Sequence, residues 1–215
     1  MIDVELMEVM GDDWSAVEAA RISYQKGTRP LNDDIRLLNY LMQHKHDSVF
    51  EMAQIKVRVK CPIYIARQIM RHRSFSFNEI SARYSVLDEE SYIPPRFSKQ
   101  SLKNKQGSGD YVDCHTEWMA QGLYLATVRE AFKNYQTLLD LGISREQARG
   151  ILPCATITQF IMNGDLRAWL HFVSLRIAKG AQSEVQDVAR RVLEILRERF
   201  PETVKAFETH RLHRY

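Results

Sequence analysis

The sequence predicts an α+β fold, mostly helical with a small central sheet, in a single domain spanning residues 1–215. Three observations carry that expectation. Apolar residues recur at helical spacing over most of the chain. Two short stretches, Ile2–Leu6 and Ile55–Cys61, alternate strictly between apolar and polar residues. The strands so marked do not alternate regularly with helices, as a doubly wound parallel sheet would require.

The elements follow in order. Residues 2–9 read as a half-buried strand, with Ile2, Val4 and Leu6 against Asp3 and Glu5. Asp12 or Asp13 caps a helix to about Gln25. Asn32, Asp33 and Asp34 open a second helix with Ile35, Leu38, Leu41 and Met42 on its inner face. Ser48 and Glu51 have the spacing of a capping box. Ile55, Val57, Val59 and Cys61 alternate with Lys56, Arg58 and Lys60 in the clearest strand, which Pro62 ends while opening a helix to about His72. Residues 74–84 show no period and read as an irregular loop; 98–109, rich in Gly, Ser and Lys, read as a mobile loop. A long helix is expected over about 110–141, stopped by Gly142. Ser144 and Gln147 suggest a capping box for a short helix before Pro153. A strand is expected over 154–162, a turn at Asn163-Gly164, a helix from Asp165 to about Lys179, and another from Ser183 to Phe200.

Composition removes several functions. Thirty basic and 27 acidic side chains give a net charge of +3, too balanced to mark a nucleic-acid binder. No apolar run approaches a membrane span, and the opening Met1-Ile2-Asp3-Val4-Glu5 has neither the basic nor the apolar region of a secretory leader. Cys61, Cys114 and Cys154 are odd in number and far apart, which argues against a disulfide framework or a cysteine metal site and fits a reducing cytoplasm. No metal is expected. Neither G-x-G-x-x-G nor G-x-x-x-x-G-K-[ST] occurs.

Charge is uneven locally. Residues 52–78 hold Lys56, Arg58, Lys60, Arg67, Arg71 and Arg73 and no acid. The first three read as the solvated face of a strand. Arg71-His72-Arg73 is different, because three adjacent cationic or potentially cationic groups repel one another unless an anion or a helix C-terminus offsets them. Ser74, Ser76, Asn78, Glu79, Ser81, Arg83 and Tyr84 follow as closely spaced donors and acceptors, with Phe75, Phe77 and Ile80 interleaved as anchors. Such a loop is suited to holding polar groups rigidly around a ligand.

The run Arg71-His72-Arg73-Ser74-Phe75-Ser76-Phe77-Asn78-Glu79-Ile80-Ser81-Ala82-Arg83-Tyr84 resembles the R-H-R-x7-S signature of flavin-dependent thymidylate synthases, with its N-E-x-S-x-R-Y continuation. Further segments are similar to the family in order and spacing: His46-Asp47-Ser48-Val49-Phe50-Glu51, Ala148-Arg149-Gly150-Ile151-Leu152-Pro153, Asp165-Leu166-Arg167-Ala168-Trp169-Leu170-His171-Phe172, and Leu175-Arg176. The resemblance implies the thymidylate synthase-complementing protein fold, and methylation of dUMP to dTMP with methylenetetrahydrofolate as carbon donor and NADPH as reductant, through FAD. It implies a homotetramer with active sites between subunits.

By position the resemblance makes Arg176 the catalytic arginine, whose permanent cation favours the ionised uracil. It assigns dUMP to Gln68, Arg71, Glu79, Ile80, Ser81, Ala82, Arg83, Arg149 and Arg176. It assigns FAD to Ser48, Arg71, His72, Arg73, Glu79, Asp165, Leu166, Arg167 and His171. Arg167 and His171, at i and i+4, share a helix face, and Arg176 lies about half a turn round. Without the resemblance, His171 would read as a core histidine beside Trp169 and Phe172. Asp165 stands where the family commonly has Asn, and Gly180 where it has His.

Three rivals are weighed. Pro153-Cys154 is superficially similar to the nucleophile of classical thymidylate synthases, but no His follows, and Cys154 reads as a small buried strand residue. The 52–78 segment with Phe75 and Phe77 could form a nucleic-acid-binding module. A family member that has lost catalysis is the third.

Overall fold

The computed structural model describes residues 2–22, 31–102, 104–105 and 107–212. In order these form β1 (Asp3–Met10), α1 (Asp13–Ile22), α2 (Leu31–Gln43), a 3-10 turn (Asp47–Met52), β2 (Gln54–Pro62), α3 (Ile63–Ile69), β3 (Ser76–Glu79), β4 (Ser98–Gln100), β5 (Ser108–Tyr111), α4 (Cys114–Asp140), α5 (Arg145–Ala148), a second 3-10 turn (Arg149–Ile151), β6 (Ile157–Asp165), α6 (Leu166–Arg176), α7 (Ser183–Arg199) and α8 (Pro201–His210). The strands make a four-stranded sheet ordered β1-β2-β6-β3 and an antiparallel pair β4-β5. The α+β expectation holds. By contact density the chain divides into two compact units. One comprises Lys60–Ile69 with Glu79–Phe160, the other Ile2–Val59 with Met70–Asn78 and Ile161–Tyr215.

In the second unit, β2 turns Ile55, Val57 and Val59 inward, each at most 1% exposed. Its other face pairs Lys56 with Glu8 and Arg58 with Glu5 of β1. The solvated-face reading of those cations holds, and β1 supplies the countercharge. Trp169 of α6 is fully buried and donates its indole N–H to Ile55 O at 3.0 Å. That bond satisfies the one polar atom of a large apolar side chain and fixes α6 on β2. Asp165 caps α6, its Oδ1 accepting from Ala168 N at 2.7 Å. On α7, Val185, Val188, Val192 and Leu196 make one buried stripe at helical spacing. Helix α8 packs on α2 and α7. It is capped from the far end of the sequence: buried Asp13 accepts from Thr203 N at 2.8 Å and Glu202 N at 3.0 Å.

In the first unit, α4 buries Val128, Phe132 and Tyr135 against Ala148 and Ala155. Asp113 caps α4 through His115 N and Thr116 N. Lys60, in this unit, pairs with Glu90 at 2.7 Å.

Several boundaries differ from expectation. The first helix is described as far as Ile22, and its expected end at Gln25 lies outside the described residues. The helix after Pro62 stops at Ile69. Within 74–84 the polar stretch contains β3. Residues 98–109 hold β4 and the start of β5, an exposed ribbon with no apolar face to betray it. The long helix therefore starts at Cys114. Asn163-Gly164 is no turn but lies inside β6, which runs to Asp165. Gly164 is there because a Cβ would overlap the Phe75 ring. Ser48–Glu51 forms no capping box: the segment is a 3-10 turn entered from His46 without a side-chain cap. Ser144 precedes α5 with its hydroxyl on Gln147 Oε1 at 3.4 Å rather than on a backbone N–H. The helix from Asp165 ends at Arg176. Cys154 is exposed in a turn before β6, not buried in a strand. Helix α8, opened by Pro201, goes beyond the elements expected.

Candidate active site

In the second unit, the segment after Met70 sends alternate side chains in and out. Arg71 and Arg73 are exposed, while His72 is 9% exposed and Phe75 is buried. Phe75 seats over Gly164 and meets Trp169 edge-on at 4.6 Å. The His72 ring lies edge-on to Phe172 at 5.0 Å and to Phe75 at 6.4 Å. Arg176, the last residue of α6, donates its Nε–H to His72 Nε2 at 2.8 Å. Nε2 is thus an acceptor, which puts the ring proton on Nδ1. Burial, the Arg176 guanidinium and His171, in that order, push His72 down to about 4, so it is neutral near pH 7. Burial also lowers the Arg176 pKa from its ordinary value, from a level high enough to leave it charged.

Arg167 and His171 are both exposed, on one face of α6. The core alternative for His171 therefore does not hold. Both line a cavity of ≈ 610 Å³ whose walls include Asp165, Ser74 and Leu170, Phe50 and Asp47 of the first 3-10 turn, and Phe207, His210 and Arg211 at the end of α8. Arg167 pairs with Glu51, which raises the Arg167 pKa. Arg211 donates to Met42 O at 2.7 Å and to Asp47 at 2.6 Å, tying the end of α8 to the 3-10 turn. Lys45, at a left-handed φ of 59°, also lines this cavity. Of the remaining flavin candidates, Ser48 is exposed on the same 3-10 turn but outside the lining. Leu166 buries its side chain and donates its N–H to Ala53 O at 2.9 Å. The walls combine the cations Lys45, Arg167 and Arg211 with the carboxylates Asp47 and Asp165 and the apolar faces of Phe50, Leu170 and Phe207. That donor set suits an elongated ligand with an anionic part and an aromatic part.

The first unit holds the other candidates. Gln68 is half-buried on α3, and Arg149 is exposed at the start of the second 3-10 turn. Glu79 accepts from Thr158 Oγ1 at 2.6 Å, and Ile80 N–H donates to Gln159 O at 2.9 Å, so this stretch is held to β6. A tight turn follows. Ser81 O accepts from Tyr84 N at 3.0 Å, and Ser81 Oγ accepts from Arg83 N at 3.3 Å. Ala82 is buried, and Arg145 clamps the turn through Tyr84 O at 2.9 Å. Arg83 is exposed, 3.8 Å from Glu146, at a cleft of ≈ 670 Å³ that also includes Arg145. Buried Cys61 has its thiol pushed up to about 12, first by burial and then by the Glu79 carboxylate, which leaves it no nucleophile. Among the described residues there is no cluster of metal-ligating side chains, and no helix is long and apolar enough to cross a membrane.

Comparison with known proteins identifies the scaffold. Residues 5–202 match the family model of the thymidylate synthase complementing proteins. The chain belongs to this family. Its curated relatives include the flavin-dependent thymidylate synthase of Thermus thermophilus, 46% identical over 210 residues, which cover 97% of this chain and 76% of the relative. That of Gluconobacter oxydans is 40% identical over 214 residues, with 97% and 71% covered. Among solved structures, the UMP/dUMP methylase PolB from Streptomyces cacaoi bound with 5-Br dUMP superposes with a TM-score of 0.88 at 30% identity, covering 97% of this chain and 95% of that one. The chain is therefore an enzyme with that family's α+β fold. Sequence reasoning had no hold on Gln43, Lys45, Asp47, His210 and Arg211 as cavity residues. Asp47 adjoins Ser48 in a matching segment, but nothing in the sequence links Arg211 to a site 164 residues earlier.

Proposed function

We propose that the chain is a flavin-dependent thymidylate synthase that methylates dUMP to dTMP, with methylenetetrahydrofolate as carbon donor and NADPH as reductant through FAD. The names of its relatives and the nucleotide analogue bound to its structural neighbour support the substrate class. One observation carries the reading. Arg176 is a half-buried cation, oriented by a neutral partner at 2.8 Å, on the same helix as Arg167 and His171 of the cavity wall. A carboxylate in His72's place would cancel that charge; a neutral imidazole does not.

The residues divide the work. Arg176 stabilises negative charge on the uracil, making C5 more nucleophilic. Gln68, Arg71, Glu79, Ile80, Ser81, Ala82, Arg83 and Arg149 bind dUMP, with Ser81 and Arg83 toward the phosphate. The cavity's donor set fits FAD, with Arg167, His171 and Asp165 in its wall; Ser48, the Arg71–Arg73 segment, Glu79 and Leu166 are FAD candidates on the resemblance alone. When bound, FAD supplies the passage of reducing equivalents from NADPH to the transferred carbon. Asp165 holds the start of α6, and Glu51 orients Arg167. We take residues 1–215 as one domain, because the family match runs through both compact units. We also propose a homotetramer with shared sites, supported by the exposed apolar side chains of α4.

The test is a visible spectrum of the protein with FAD, then with NADPH, then with dUMP. We expect a perturbed flavin band that bleaches with NADPH, faster with dUMP present, and dTMP once methylenetetrahydrofolate is added. A folded protein that binds no FAD would overturn the proposal.

A further inference from the structure

We propose that His72 is the positioning residue of Arg176: it fixes the roll of the guanidinium plane through Nε and so aims the terminal Nη pair at the pyrimidine. The inference rests on the reading that Arg176 meets the base. It adds a role for the middle residue of Arg71-His72-Arg73, whose neighbours both face outward while His72 alone turns in.

Four observations support it. First, the bond is short and directed, 2.8 Å from Nε to Nε2. Nε–H is the one guanidinium donor outside the terminal fork, so this bond orients the plane without engaging either Nη group. Second, the acceptor is itself immobilised. Phe172 at 5.0 Å and Phe75 at 6.4 Å meet the imidazole at 71° and 74°, and Phe75 is wedged between Trp169 and Gly164. An arginine has four rotatable side-chain bonds, and anchoring near its tip removes freedom that binding would otherwise have to remove. Third, the partner is neutral. A carboxylate would take Arg176 as a bidentate ion pair and compensate its charge, whereas an imidazole accepts one bond and leaves the cation intact. Fourth, neutrality is enforced by the surroundings. The ring is buried, the facing groups are Arg176 and His171, and protonation would remove the acceptor and set two cations against each other.

Two substitutions separate positioning from packing. His72→Phe keeps the aromatic volume and removes the acceptor. His72→Gln keeps an acceptor oxygen in place of Nε2 and loses the ring. The holoenzyme is titrated with dUMP by calorimetry and assayed for dTMP, alone and combined with Arg176→Lys. We expect His72→Phe to lower kcat by about 10- to 100-fold, the scale of a small misplacement of a catalytic group. The KM for methylenetetrahydrofolate should hold, and His72→Gln should recover most of the loss. In the Arg176→Lys background, His72→Phe should weaken dUMP binding no further. Independently, 15N spectra of histidine-labelled protein without ligands should show His72 protonated at Nδ1 only, and Arg176→Lys should shift its ring signals. Equal damage from the Phe and Gln substitutions, or a loss that adds fully to that of Arg176→Lys, would overturn the proposal in favour of packing alone. Failure of the wild-type protein to form dTMP would count against the proposed activity instead. The ligand-free spectra would still decide whether the two residues are coupled.

Discussion

Three neighbouring side chains, Arg71, His72 and Arg73, share a motif but not an environment, and the difference has a measurable consequence for stability. His72 takes up a proton near 6.5 in the unfolded chain and near 4 in the folded one. Between those values the unfolded state binds more protons, so stability falls as pH drops from about 6.5 to about 4 and loses nothing more below. The full effect is on the order of 3 kcal/mol. Thermal melts across that window should show a steeper decline for the wild type than for His72→Phe; parallel declines would mean that His72 is charged in the folded protein. The motif itself was legible, because its spacing and polar density are local. The bond to Arg176 was not: 104 residues separate the partners, and a histidine between two arginines looks cationic until its burial is known.

Among the elements, those with an apolar face could be read from the pattern, and those without one could not. Strand β2 has four inward apolar side chains in strict alternation and was expected where it lies. In β3 only Phe77 is partly buried, and β4 and β5 are exposed along their length, so no period separates them from loop. The hairpin-like Asn163-Gly164 is the opposite case, a turn signal produced by packing. Phe75 occupies the space a side chain at 164 would need. Gly164→Ala should therefore force the Phe75 ring off Trp169 and loosen the segment that carries Arg71–Arg73. A loss of about 1–3 kcal/mol in urea denaturation is expected for such overpacking. FAD affinity should weaken with it, and His72→Phe should cost less activity in that background because the ring's support is already gone. An alanine variant with unchanged stability would show that the ring has room to move.

Across the whole molecule, α4 is the element whose exposure is least like that of a lone soluble chain. Its buried residues Val128, Phe132 and Tyr135 all lie in the C-terminal half of the 27-residue helix. Toward the N-terminus, Trp118 is 72% exposed and Leu123 70%, with Met119 and Leu125 also exposed. Single exposed apolar residues are ordinary, but four on adjoining turns of one helix mark a surface that gains from being covered. In a monomer, Trp118→Glu with Leu123→Glu should change stability by no more than about 0.5 kcal/mol per site. In a homotetramer that uses this helix, the same pair buries two charges in each interface, and dissociation should follow. Sedimentation velocity should then show the wild type as a tetramer and the double variant as a smaller species. Shared active sites would make dTMP formation fall with dilution in the variant while the wild type holds. A wild type that sediments as a monomer at micromolar concentration would rule the tetramer out, and both sets of candidate residues would then have to serve within one chain.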